Sequence, residues 1–158
     1  MAVRKPPEPR RILNRKARHA YHIHATVEAG LVLLGTEVKS LRAGQADLSE
    51  AYVRIHGAEV VLYDCQIDRY PPAADRNHEP RRKRRLLLHS REIRKLAQQL
   101  QQTGTTLIPL SIFFNARGLA KVELALVTGK KLHDKREDLR KREHQREIDR
   151  ATRRRPGS

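Results

Sequence analysis

Ile108-Pro109-Leu110-Ser111-Ile112-Phe113-Phe114-Asn115-Ala116-Arg117-Gly118-Leu119-Ala120-Lys121-Val122-Glu123-Leu124-Ala125-Leu126 is the stretch that decides the fold. Ile108, Leu110, Ile112 and Phe114 fall at every second position, and so do Ala120, Val122, Leu124 and Leu126. Successive side chains of a strand point to opposite faces, so each run buries one face and wets the other. Residues 115–118 carry Asn and Gly, which favour a turn. Two antiparallel strands joined by a short loop are the expectation.

Upstream of this hairpin, Ser90 is placed to cap a helix whose Ile93, Leu96, Ala97 and Leu100 follow i, i+3, i+4, i+7 spacing, with Gly104 at its end. Residues 51–56 and 59–68 are β-rich runs separated by Gly57 and Ala58, which is hairpin spacing. Ala51, Val53 and Ile55 face one way there, and Tyr52, Arg54 and His56 the other. Between residues 19 and 28 the chain alternates again. His19, Tyr21, Ile23, Ala25 and Val27 share one face, expected to point inward, and His22, His24, Thr26 and Glu28 share the other. Thr36 is placed to cap a short helix through Glu37, Val38, Ser40, Leu41 and Arg42, stopped by Gly44. Five or six strands and two helices, without a repeating strand–helix rhythm, predict a mainly β (α+β) domain: a small antiparallel barrel, whose closure removes exposed edges. It spans residues 14–128. Before it, residues 1–13 read as a flexible basic arm, and after it residues 129–158 form a basic tail.

The chain has 158 residues, 34 Lys+Arg and 18 Asp+Glu, a formal net charge of +16. Three segments hold all of the excess: residues 1–20 carry net +6, residues 81–95 net +7 and residues 129–158 net +6. Charge concentrated in this way repels itself and is the footprint of a polyanionic partner. No apolar run approaches the ~18 residues needed to span a bilayer. The first twenty residues lack the apolar core of a secretory signal. Cys65 is the only cysteine, which leaves no internal disulfide and no four-cysteine zinc site. A soluble, cytoplasmic, basic protein is expected, with no membrane partner.

Catalytic motifs are sparse. Gly129-Lys130-Lys131 lacks the upstream glycine and the following Ser/Thr of a phosphate-binding loop. His19, His22 and His24 invite a metal, but on a strand His19 points away from the other two, so neither metal nor cofactor is expected. His19 and Glu28 could serve as an acid/base pair, which keeps a nuclease acting on structured RNA as the alternative function. Cys65 sits in a strand pattern and reads as a core residue. No zinc finger, zipper or recognition helix suits the DNA major groove. A small barrel with basic arms and few aromatic residues suits RNA recognised by shape and phosphate.

The last thirty residues contain few aliphatic side chains, too few for a core-facing stripe. Glu137 and Lys141, and Asp138 and Arg142, stand at favourable i, i+4 spacing, each pair worth ~0.2–0.5 kcal/mol. The tail is therefore a latent helix, expected to be disordered when free and to order against a partner.

Several stretches together resemble the SsrA-binding protein (SmpB) family. They are Asn14-Arg15-Lys16-Ala17-Arg18-His19-Ala20-Tyr21, the run from Glu28 to Gly44 (Glu-Ala-Gly-Leu-Val-Leu-Leu-Gly-Thr-Glu-Val-Lys-Ser-Leu-Arg-Ala-Gly), Arg85-Leu86-Leu87-Leu88-His89 and Gly129-Lys130-Lys131-Leu132-His133-Asp134-Lys135-Arg136. The likeness runs from about residue 12 to 150. Val27, Asp47, Arg85 and His133 depart from the residues common in the family. The resemblance implies an oligonucleotide-binding-type barrel and a non-enzymatic adaptor. Such an adaptor binds the tRNA-like domain of transfer-messenger RNA (tmRNA) and brings it to stalled ribosomes for trans-translation. By matching position it implies that Asn14, Arg18, His19, Tyr21, Glu28, Lys39, Arg42, Leu87 and Lys121 lie on or near the RNA-binding face. Gly129, Lys130, Lys131, His133, Asp134, Lys135 and Arg136 would enter the messenger channel of the ribosome, beside small-subunit ribosomal RNA, with His133 near the decoding centre. Alanyl-tRNA synthetase and elongation factor Tu are implied partners through the shared RNA. Chemically, Lys39, Arg42 and Lys121 suit phosphates, and Tyr21 and His19 suit unpaired bases. Glu28 has two expected partners: an RNA donor group, or Arg18 or Lys39 of its own chain.

Overall fold

A computed structural model of the protein describes residues 11–130 and 132–153, with backbone alone for 132–135. The elements follow the order β1 (Ile12–Leu13), α1 (Ala17–Ala20), β2 (Tyr21–Leu31), α2 (Gly35–Arg42), β3 (Ala46–Asp47), β4 (Tyr52–His56), β5 (Glu59–Tyr63) and β6 (Gln66–Ile67). A 3-10 turn at Pro71–Arg76 precedes β7 (Arg84–Leu87), α3 (Ser90–Gln99), β8 (Thr105–Phe114), β9 (Ala120–Gly129) and α4 (Leu132–Arg153). The expected hairpin is β8–β9, with Phe114 opposite Ala120 and Thr105 opposite Thr128. In its loop Asn115 Oδ1 accepts from the N–H groups of Arg117 and Leu119 at 3.0 and 2.9 Å, and Gly118 takes a φ of 77° that disfavours a side chain.

From this pair the sheet runs round antiparallel: β9 to β2, β2 to β7, β7 to β5, β5 to β4, and β4 back to β8. Six strands thus close a barrel, and closure leaves no continuous edge for another chain to extend. Ile12 and Leu13, which composition groups with the arm, pair with Ile112 and Ser111 of β8 as a short seventh strand. The barrel interior holds Ala29, Leu31, Val53, Val60, Leu62, Leu86, Leu107, Ile112, Val122, Leu124 and Leu126, with Leu41 of α2 and Leu96 of α3 packed into the same core. A second, smaller cluster lies outside the barrel wall, where Ala17 and Tyr21 cover Ile108, Leu110, Ala125 and Val127. Each fully buried aliphatic side chain contributes about 1.5–3 kcal/mol of transfer free energy.

Two irregularities change the faces expected from alternation. In β8 the register shifts between Pro109 and Ser111, so Ile108 and Leu110 join the outer cluster while Leu107 and Ile112 face the interior. Proline has no N–H for the ladder, and a bulge is where a strand accommodates one. In β2 the register shifts between Ile23 and Ala25. Ile23 then lies opposite Val127 on the outer side and is 36 % exposed, so its expected inward placement is corrected. Val27, Ala29 and Leu31, beyond the shift, do reach the core.

The helix starts also differ from expectation. Thr36 does not cap α2; its hydroxyl is taken by His78 Nδ1 at 2.9 Å, and Glu37 caps instead, its Oε1 accepting from the Leu34 N–H at 2.8 Å. Ser90 is the first residue of α3 and makes no capping bond. Along α4 the described side chains lie largely in solvent, Leu139 and Ile148 included. Asp138 pairs with Lys130 rather than with Arg142. Among the described residues no helix is long and apolar enough to cross a membrane.

Candidate RNA interface

β2 arranges most of the candidate residues, and it does so in two groups. At its far end, Gly30 lies between Leu87 of β7 and Lys121 of β9, facing both in register. A Cβ on Gly30 would stand 3.2 Å from Leu87 Cβ, so glycine there leaves room for the leucine. Leu87 is 54 % exposed, an apolar side chain held on the outer wall, not in the core. With Leu88, His89 and Leu119 these residues line an open depression of about 440 Å³. Glu28, two residues before Gly30 and on the same face, lies opposite Glu123 of β9. It is exposed and has no hydrogen-bonding or ionic partner among the described residues, so pairing with Arg18 or Lys39 does not occur.

α2 brings Arg42 to the same end of the barrel. Its guanidinium lies 5.1 Å from the centre of the Phe114 ring, beside Gly118 in the β8–β9 loop. Lys39, one turn earlier, places its ammonium 5.2 Å from the Tyr70 ring. The opposite side of α2 is anchored by Glu37, which is 0 % exposed and shared by two arginines. Arg82 Nη2 donates to its Oε1 at 2.6 Å, and Arg84 Nε donates to Oε2. Arg84, equally buried, also donates to the carbonyls of Cys65, Arg82 and Pro80. Burial alone would raise the Glu37 pKa, but the bonds from Arg82, the Leu34 N–H and Arg84 outweigh it and hold the carboxyl below its ordinary value. The basic run is thus partly spent indoors. Arg82 and Arg84 serve Glu37, and Arg81 pairs with Glu50 at 2.9 Å, which leaves Lys83 and Arg85 of residues 81–85 for an external polyanion.

Arg18, His19 and Tyr21 form the second group, at the near end of β2. Tyr21 lies opposite Gly129, and the Lys130 N–H donates to the Ala20 carbonyl at 3.0 Å, so α1 and the exit of β9 are tied together. Lys130 Nζ donates to the Arg18 carbonyl at 2.9 Å. Arg18 is exposed, and His19 and Tyr21 are half-buried. Asn14 is largely buried: at 8 % exposure its Nδ2 donates to the carbonyls of Pro109 and Leu48 at 2.9 and 3.2 Å, and its N–H donates to the Leu110 carbonyl at 2.7 Å. It fastens the β8 bulge. In the tail, Gly129 is exposed at the end of β9, Lys131 lies outside the described residues, His133, Asp134 and Lys135 are described by backbone on the first turn of α4, and Arg136 is exposed.

One arrangement escapes sequence inspection. The β4–β5 register sets Tyr52 opposite Tyr63, and the rings stack at 5.2 Å and 9°. Arg54 lies 5.3 Å from the Tyr52 ring, Lys83 lies 5.5 Å from the Tyr63 ring, and His56 Nε2 bonds the Tyr63 hydroxyl at 2.8 Å. The only available signal was the Tyr52, Arg54, His56 alternation on the solvent face.

Among the described residues His19 and Glu28 are not brought together as an acid/base pair. Tyr21 and Glu28 are seven positions apart on β2, about 20 Å at strand rise, so His19, which precedes Tyr21, cannot share a phosphate with Glu28. Burial raises the Cys65 thiol to about 12, far from a nucleophilic thiolate. His24 Nε2 bonds Thr128 Oγ1 at 2.8 Å.

Comparison with known proteins follows the same line. The family model described as SmpB protein matches residues 11–154. The SsrA-binding protein of Moorella thermoacetica is 56 % identical over 142 residues, 90 % of this chain and 92 % of that protein. Those of Thermobifida fusca and Methylobacterium nodulans are each 54 % identical, over 90 % and 92 % of this chain and 88 % and 94 % of their own lengths. A chain of the solved structure "tmRNA-SmpB: a journey to the center of the bacterial ribosome" is 49 % identical, with a TM-score of 0.67 over 77 % of this chain and 85 % of that one. On sequence, barrel and length alike, the chain belongs to the SmpB family of SsrA-binding proteins.

Proposed function

We propose that the protein is a non-enzymatic adaptor that binds the tRNA-like domain of tmRNA and carries it to stalled ribosomes for trans-translation. The observation that carries this is the convergence of exposed Leu87, side-chain-free Gly30 and Lys121 on the outer wall of a barrel whose relatives are named for SsrA binding. Lys121, Arg42 and Lys39 neutralise phosphates. Leu87 supplies apolar contact to a base or ribose, and unpaired Glu28 accepts from a base amino group or a ribose hydroxyl. Arg18, His19 and Tyr21 continue the contact at the near end of β2, and Asn14 supports them from below. The tail from Gly129 through Arg136 enters the messenger channel, with His133 near the decoding centre and Lys130, Lys131, Lys135 and Arg136 against ribosomal RNA. Alanyl-tRNA synthetase and elongation factor Tu meet the protein on the same RNA, and the site of action is the cytoplasm.

The test is direct. Purified protein is mixed with the tRNA-like domain of tmRNA, with and without magnesium or manganese, and followed by anisotropy and denaturing gel. Saturable binding with intact RNA is expected; shortened RNA would favour a nuclease.

A further inference from the structure

Away from the Leu87–Lys121 wall, a cleft of about 320 Å³ opens between the N-terminal segment, α1 and α4, and its walls include Arg11, Arg15, Arg18, Arg142, Ser111 and Glu123. Among the described residues Glu123 is its only carboxylate and is already engaged, accepting from Ser111 Oγ at 3.3 Å and pairing with Arg11 Nη1 at 3.5 Å. Arg11 is fixed a second time, 4.2 Å over the Phe113 ring. Arg15, Arg18 and Arg142 have no acidic partner among the described residues. Some cations elsewhere do meet acids: Arg82 and Arg84 pair with Glu37, Arg81 with Glu50 and Lys130 with Asp138. Here guanidinium groups from three parts of the chain line one cavity with most of their charge unmatched. A concave site of one sign concentrates potential and favours a bound counter-ion. Planar guanidinium forks suit the non-bridging oxygens of a phosphate.

Three of these arginines belong to the N-terminal part of the body, and the fourth belongs to the tail helix. Lys130 holds the Arg18 carbonyl and Asp138 together, so α4 is tethered beside the cleft one turn before Arg142. We propose that the cleft takes one phosphodiester group of bound RNA and, through Arg142, links RNA binding to the posture of α4. This rests on the RNA-binding function given above and adds to it a phosphate subsite shared between body and tail.

The full-length protein and its Arg15→Ala, Arg142→Ala and doubly substituted forms are titrated with the tRNA-like RNA at several salt concentrations. Each single substitution should weaken binding about tenfold, the scale of one charge-assisted hydrogen bond, and lower the salt slope by about one. The double substitution should lose little more than either, because both arginines meet one phosphate. In NMR spectra the Nε–Hε signals of Arg15 and Arg142 should shift together on adding RNA. Losses that simply add would overturn the shared phosphate, and equal shifts with inorganic phosphate alone would make the cleft a free-anion site. Unchanged affinity in Arg142→Ala while Lys121→Ala still weakens binding would overturn the subsite and leave the RNA-binding function standing. No RNA binding by the full-length protein would remove that function itself.

Discussion

Gly30 on β2 and Leu87 on β7 lie opposite each other with so little space that a methyl group on Gly30 would stand 3.2 Å from Leu87 Cβ. Leu87 already stands on the outer face that carries Lys121. Leu87→Ala removes a side chain already half in water, so it should lower stability by less than about 1 kcal/mol while weakening RNA binding. Gly30→Ala should push Leu87 aside by a few tenths of an ångström and weaken RNA binding with little change in melting temperature. Anisotropy titrations beside thermal melts separate the two effects. A large loss of stability in Leu87→Ala would make it a packing residue.

Glu37→Gln should be among the most destabilising single substitutions, costing about 3–5 kcal/mol, since it leaves buried Arg84 without its counter-charge. The same carboxylate predicts an acid limb. Its folded pKa is depressed, so its contribution is fully present above the ordinary value of 4.5 and is lost as pH falls through the lower folded value. Urea melts between neutral pH and pH ~3 should show a larger loss in the natural protein than in Glu37→Gln, which keeps the separate contribution of Asp47, held low by the Ser49 N–H. A parallel pH dependence in both would dismiss Glu37 as its source.

Glu28→Ala should keep or slightly raise stability, because it removes one of two carboxylates directly opposed across β2 and β9. RNA affinity should fall. Ile23→Ala, at an exposed position, should cost under about 1 kcal/mol, whereas Leu124→Ala in the barrel interior should cost about 2–5 kcal/mol. Chemical denaturation of the three variants checks the order. An Ile23→Ala loss equal to that of Leu124→Ala would contradict the outer placement of Ile23.

Alternation alone revealed the β8–β9 pair, the β4–β5 hairpin and the β2 run, because a half-buried strand imposes period two on its side chains. It failed at Ile23, Ile108 and Leu110 for one reason. A single extra residue at a bulge inverts every later position, and nothing in the local composition around His24 announces it. Pro109 was a signal that could have been used. The charge map pointed correctly to a polyanion but overcounted residues 81–85, since a run of arginines does not say which of them meets a buried carboxylate 45 or 47 positions earlier. Asn14 was selected by resemblance, and its burial was not legible in the sequence, because the three hydrogen bonds it donates reach elements far away along the chain. Leu87 needed the resemblance as well, because an apolar residue within Arg85-Leu86-Leu87-Leu88 reads as core until its partner strand is known.

The division of labour between barrel and tail is the central claim, and truncation after Lys130 tests it most directly. The barrel closes through β9 and the Lys130 N–H bond to Ala20, so removing residues 131–158 should leave a folded domain with an unchanged cooperative melt. Affinity for isolated tmRNA should fall by no more than about tenfold, the share assigned to Arg142. Peptide tagging on stalled ribosomes, measured on the same preparation, should be abolished. Loss of tmRNA affinity and tagging in equal proportion would contradict the account, because the tail would then be part of the RNA-binding body.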